Sequence, residues 1–206
     1  MGTGLNSGDD TTTSRTLGVG LKHNTTSGGV WCLDYAAAWD RNITTIQCPE
    51  SGDAGALTFT GDRNGSDNLK QISDFLISLG ETDDTGTAEN YSAFYFGKNY
   101  KDTATNIAGT DYESGWYLPS IAELFQIYAN GKGENKVFDI DAASEALGGD
   151  KFGTLFYWSS SQYLFGSSTP SFARVNYAAY GLRFDSGNFG PNNKEIYSYM
   201  CAVRAF

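Results

Sequence analysis

One histidine, His23, and three cysteines without a CxxC pair leave the chain poor in metal ligands. A zinc site of the common His/Cys kind is thereby excluded. Cys32 and Cys48, sixteen positions apart, read either as a disulfide or, with Cys201, as three buried thiols. Cations are also scarce: 14 Lys and Arg stand against 24 Asp and Glu, a formal net charge of -10. From Tyr157 to Phe206 the only cations are Arg174, Arg183, Lys194 and Arg204. Nucleic acid is not an expected partner, because phosphate contacts need a basic surface. No run is long and apolar enough to span a membrane, and no signal peptide is visible. Met1-Gly2 running into a Thr-rich lead reads as a mature protein with a new start codon. Any tie to a membrane is expected through a lipid anchor removed with an export signal.

What is present points to one folded domain. Hydrophobic residues make up 40 % and charged residues 18 %, a globular balance. The 25 glycines and 13 tyrosines, against four prolines, predict many turns held by aromatic packing. Residues 1–16 read as a frayed lead and 17–206 as a single domain.

Short strands are expected around the turn-rich Asn24–Gly29, at Val30–Leu33, Ile43–Cys48 and Ala56–Thr60. Leu69, Ile72, Phe75, Leu76 and Leu79 fall at helical spacing. Ser66 or Asp67 is the expected cap of that helix and Gly80 its stop. Ser92–Tyr100 reads as a strand or packed loop. Ser120 and Glu123 form a capping box for a short helix ended by Asn130-Gly131. Asp139 or Asp141 starts a third, stopped by Gly148-Gly149. Phe156–Trp158, Leu182–Phe184 and Cys201–Arg204 are strand-like and able to pair. The sum is an α+β domain with short helices and a small, twisted antiparallel sheet.

Of the 50 residues from Tyr157 to Phe206, twelve are aromatic and 22 are Tyr, Ser, Gly or Asn. That is the composition of a binding surface, in which Tyr gives area at low entropy cost and Ser, Gly and Asn adapt their hydrogen bonds. Alternation along Ala179–Gly187 sends Leu182 and Phe184 one way, toward a core with Trp158 and Val203. Gly181, Arg183 and Asp185 go the other way. The expected binding set is Tyr163, Phe165, Ser167, Ser168, Phe172, Arg174, Asn176, Tyr177, Tyr180, Gly181, Arg183, Asp185, Ser186, Asn188, Gly190, Asn192 and Asn193.

GWYLPSIAEL (115–124), YWSSSQ (157–162), AYGLRFDSGNF (179–189), Lys194 and CAVRAF (201–206) resemble the Lcl C-terminal domain family, DUF1566. The resemblance implies a C-type-lectin-like fold of the formylglycine-generating-enzyme subtype. Tyr180 stands where Trp is usual, and residues 163–178 are longer than the family pattern. The ending CAVRAF and the irregular stretch before it also resemble the variable proteins of diversity-generating retroelements, of the treponemal variable-lipoprotein type. There a reverse transcriptase rewrites adenines near the 3′ end of the gene, and the fold carries the varied side chains on an exposed face. This implies a non-enzymatic binding protein, variable over about residues 163–199. It would sit on a bacterial surface or be displayed on a phage. A protein or glycan of another cell is its expected partner, and a monomer its expected state.

Alternatives are a lectin or adhesin of fixed specificity, a formylglycine-generating-type enzyme, or a structural surface-layer domain. Asp62–Asp67 reads as a turn with a helix cap or, lacking the closing Glu, as an incomplete calcium loop; calcium is the one cofactor entertained. His23 is expected on the surface. Ser159–Ser161 read as turn and sheet hydroxyls. Asn24, Asn42, Asn64 and Asn90 begin glycosylation acceptor patterns.

Overall fold

Tyr157-Trp-Ser-Ser-Ser-Gln162 lies in the middle of the main sheet, and every one of its side chains is buried. The computed structural model describes residues 2–5, 12–48, 50–51, 58–59, 61–163 and 176–206. Strands run β1 (Gly2–Leu5), β2 (Thr12–Arg15), β3 (Leu17–Val19), β4 (Asn24–Gly29), β5 (Glu50–Ser51) and β6 (Thr58–Phe59). Then follow β7 (Trp116–Tyr117), β8 (Phe156–Gln162), β9 (Ala178–Arg183), β10 (Phe189–Asn193), β11 (Ser198–Met200) and β12 (Val203–Ala205). The helices are α1 (Asn68–Ser78), α2 (Ser92–Lys98), α3 (Ile121–Gly131) and α4 (Ile140–Ala146). The class is α+β. The main sheet has the order β10-β9-β8-β11-β4, and a second has β3-β12-β7. The main sheet is mixed, because β11 runs parallel to β8.

Period-two alternation gives this sheet two apolar faces. Trp158, Ala179 and Met200 belong to one cluster, with Trp31, Ile72, Tyr91 and Phe94. Tyr157, Tyr180, Leu182 and Cys201 belong to another, with Phe59, Leu124, Phe152 and Phe184. With both faces covered, the three serines of β8 have no water to bond and must be satisfied inside. Ser159 donates to the carbonyl of Tyr180 at 2.8 Å. Ser160 accepts from the Asn68 amide at 2.8 Å, and Ser161 from the backbone N–H of Ile121 at 3.0 Å. The hydroxyls therefore tie the first turns of α1 and α3 to the central strand.

The capping box is formed as expected. Glu123 accepts from the Ser120 N–H at 2.8 Å, and Ser120 accepts from the Glu123 N–H. Glu123 also accepts from the Gly65 N–H at 3.0 Å and from the Tyr117 hydroxyl at 2.8 Å. Gly80, just past the end of α1, stops it: its φ of 76° allows Glu81 N–H to reach back to the Leu76 carbonyl. Its start differs from expectation. A 3-10 turn, Gly65–Asp67, precedes it and is capped by Asn64, not by Ser66 or Asp67. Asp139 caps α4, and Gly148 follows it at positive φ.

Several expected strands are something else. Val30–Cys32 is buried but loop-like, held by N–H bonds from Trp31 and Cys32 to the Lys194 carbonyl. Thr44–Ile46 is a 3-10 turn. Ser92–Lys98 is a helix, buried around much of its girth, so aromatic content misdirected the period. Cys201–Arg204 does not join β8; β12 pairs with β3 and β7 instead. Where a frayed lead was expected, the backbone of Gly2–Leu5 pairs with Thr12–Arg15. Cys32, Cys48 and Cys201 are free and buried, the second of the two readings. No helix among the described residues is long and apolar enough to cross a membrane.

α2 reaches β7 only because position 97 is glycine. A Cβ there would lie 2.5 Å from the Leu118 nitrogen. Gly97→Ala is expected to lower stability by about 1–3 kcal/mol, read as a shift in urea midpoint. An unshifted midpoint would mean that α2 does not pack this closely.

Candidate binding surface

Two buried polar side chains set the geometry at one end of the β8–β9–β10 sheet. Gln162, the last residue of β8, is fully buried. Its amide donates to the carbonyls of Arg41 at 2.6 Å and Asn176 at 3.0 Å, and its oxygen accepts from the Ile43 N–H at 2.7 Å. Lys194, just past β10, is also fully buried. Its ammonium donates to the carbonyls of Ala38 at 2.8 Å and Trp39 at 3.2 Å, and lies 4.6 Å from the Trp31 ring centre. Its backbone N–H donates to Tyr177, and its carbonyl receives Trp31 and Cys32. Between them, these two residues fasten the 31–43 loop to the sheet.

On that foundation Trp39 and Tyr177 stack at 5.3 Å and 15°. The Trp39 indole donates to Glu195 at 2.9 Å. Asn193, paired with Ala178 across the sheet, points its amide at the same carboxylate. This end of the sheet is a half-exposed aromatic pair bordered by amides and a carboxylate. It can stack a flat or cationic group and bond to it at the rim.

The structure divides the expected set. Asn176, Tyr177, Asn192 and Asn193 come together at this end. Arg183, Asp185, Ser186 and Asn188 sit at the opposite tip of the β9–β10 hairpin, roughly 20 Å away at 3.3 Å per residue. There Arg183 holds Asp185 by a two-pronged bond of 3.1 and 2.6 Å. That bond keeps the carboxyl below its usual range. Gly190 is half-buried on the edge strand, with open space above it. Phe165, Ser167, Ser168, Phe172 and Arg174 lie outside the described residues. Tyr163 is half-buried and meets Tyr180 edge-on at 5.1 Å.

Two members of the set are corrected. Tyr180 is 3 % exposed and packs among Phe59, Tyr163 and Phe189. It shares the parity of Leu182 and Phe184, and the alternation that buries them buries it as well. Gly181 is buried, opposite Trp158 in register. Trp39 was missed, because its partners Tyr177 and Glu195 are more than 130 residues distant in sequence; Glu195 fell in the expected variable range but not in the named set.

The other candidates resolve differently. His23 is buried, not on the surface, 4.4 Å from the Phe152 ring centre, and burial lowers its pKa. It lines an apolar cavity of about 200 Å³ with Val19, Phe138, Ile140 and Leu147. Asp62 is buried, accepts from the Asn64 N–H at 3.1 Å, and burial raises its pKa to about 8. That is turn geometry, and no cluster of three His, Cys, Asp or Glu suited to a metal occurs among the described residues. Asn64, in one glycosylation pattern, is buried.

No family model, curated protein or solved structure matches the chain.

Tyr180→Ala is expected to cost about 3 kcal/mol or more, seen as a lower melting temperature. An unchanged melting temperature would return Tyr180 to the surface. Lys194 offers a second check. Burial depresses its pKa to about 8 from 10.5. Between those values the unfolded chain binds more protons, so this group makes stability rise with pH. The thiols of Cys32 and Cys201, pushed up to about 12, act in the opposite sense. The difference between wild type and Lys194→Met isolates the lysine. Wild type should gain on the variant by about 3 kcal/mol from pH 8 to 10.5, measured by urea unfolding. A flat difference would show that the carbonyls hold the ammonium at its ordinary pKa.

Proposed function

We propose that the chain is a surface-displayed binding protein. In this reading a C-type-lectin-like scaffold carries a C-terminal region that a retroelement diversifies at adenines. One observation carries it: a single stretch, 176–194, separates into fixed and replaceable positions. Tyr180, Leu182, Phe184 and Lys194 are buried, whereas Asp185, Ser186, Asn188 and Asn193 are exposed and Asn176, Tyr177, Arg183 and Asn192 partly so. Replacement of the second group removes no core contact, and a scaffold can present many surfaces on that condition. The stretch is also rich in the residues that make adaptable contacts. The partner is a protein or glycan of another cell.

A fixed-specificity adhesin is favoured by one feature, the Trp39–Tyr177 stack, whose Trp lies outside the stretch. The enzyme alternative draws no support from Cys201, which is fully buried with its thiol pushed up to about 12.

Deep sequencing of the 3′ end of the gene across a host population tests the proposal. Substitutions are expected at adenines in the codons for Asn176, Tyr177, Asn188, Asn192 and Asn193. Trp158, Leu182, Phe184 and Lys194 should stay unchanged. A uniform gene would overturn the diversification and leave the adhesin.

A further inference from the structure

We propose that Tyr35, Ile196 and Tyr197, beside the Trp39–Tyr177 stack, form a docking surface for an arginine-bearing basic segment of a protein partner. This rests on the binding-protein reading and names the chemistry of its ligand. Ile196 and Tyr197 fall within the expected variable range, about 163–199, but were not among its named residues; Tyr35 lies outside it.

Tyr35 is 65 % exposed, Tyr197 67 % and Ile196 46 %. Scattered exposed apolar residues are ordinary. These come from two distant segments that the fold joins: the Trp39 indole donates to Glu195, and the Lys194 ammonium to the carbonyls of Ala38 and Trp39. The support beneath is rigid. Lys194 pins Ala38 and Trp39 from below. The Ile196 carbonyl receives the buried Trp158 indole, and its N–H donates to Asn193. Exposed rings on a fixed base lose little entropy when a partner covers them.

Charge selects the partner. The segments forming the patch carry Asp34, Asp40, Glu89 and Glu195, and Glu89 accepts from the Tyr35 hydroxyl. Their only cations are Arg41 and Lys194. Arg41 is engaged with Glu81, and the Lys194 ammonium is buried against carbonyls. Four carboxylates thus stand against one surface cation, Arg41, which is already paired with Glu81. A depression of about 350 Å³ opens among Asp34, Trp39 and Asp40, with Arg41 in its wall and held by Glu81. A guanidinium entering it would meet carboxylates at its edge and an indole at its face, the two surfaces that group prefers. A glycan offers no positive charge for this rim.

The test is a titration followed by amide chemical shifts, with the peptide (Gly-Arg)4, its (Gly-Glu)4 counterpart and a neutral oligosaccharide. The basic peptide should move the amides of 34–41 and 195–198. Its affinity should fall about tenfold between about 20 and 200 mM salt. Tyr35→Ala with Tyr197→Ala should weaken it about tenfold or more, with the remaining spectrum unchanged as evidence of folding. Asp34→Asn with Asp40→Asn should flatten the salt dependence and keep the rings. Absence of shifts at the patch, equal response to the acidic peptide, or movement by the oligosaccharide alone would overturn the proposal. A chain that ignores the basic peptide but varies in its host as described above would lose this inference and keep the broader function.

Discussion

The ammonium of Lys194 is the contact on which the candidate surface depends. A charge in a protein interior is costly unless it is bonded on all sides. Here two carbonyls and an indole face surround it, and the same residue's backbone joins Tyr177 to Trp31 and Cys32. Side chain and backbone of one residue thus join the 31–43 loop to the start of β9 and the end of β10. Without the ammonium, the carbonyls of Ala38 and Trp39 lose their bonds from this side, and the Trp39 indole bond to Glu195 is left to hold that part of the loop.

The sheet around it has an unusual balance. With both faces covered, the sheet leaves little room for polar side chains except where they bond inward. Ser159, Ser160 and Ser161 do this, each to a different partner element. Small hydroxyls also let helix starts come close to the strand, which a larger side chain would prevent. The result is a scaffold whose rigidity comes from short internal bonds. The side chains near its rim are left free of structural duty.

Much of this could be read from sequence where the signal was local. The Ser120–Glu123 box, the Gly80 stop and the Asp139 cap depend on neighbours within four residues, and each is found where expected. Exposure was legible at the polar positions of the expected set, because Asp185, Ser186, Asn188 and Asn193 lie in the β9–β10 connection or on an edge strand. Tyr180 was misplaced although its parity with Leu182 was in plain view; composition overrode period. α2 was missed because a short helix buried around its girth has no polar stripe. Trp39 and Tyr35 were out of reach, since only the fold brings residues 31–43 against 193–198.

Gln162 bears on chain length. By bonding the carbonyl of Asn176 it holds Asn176 beside the end of β8, while the Tyr163 N–H reaches Ala178. The two ends of the intervening segment are therefore closed by the scaffold itself. Closure entropy grows only with the logarithm of length, about 0.6 kcal/mol for each doubling. As far as chain closure goes, a change of length between Tyr163 and Asn176 thus costs little. The hydrogen bonds that bring those two ends together ask nothing of the number of residues between them.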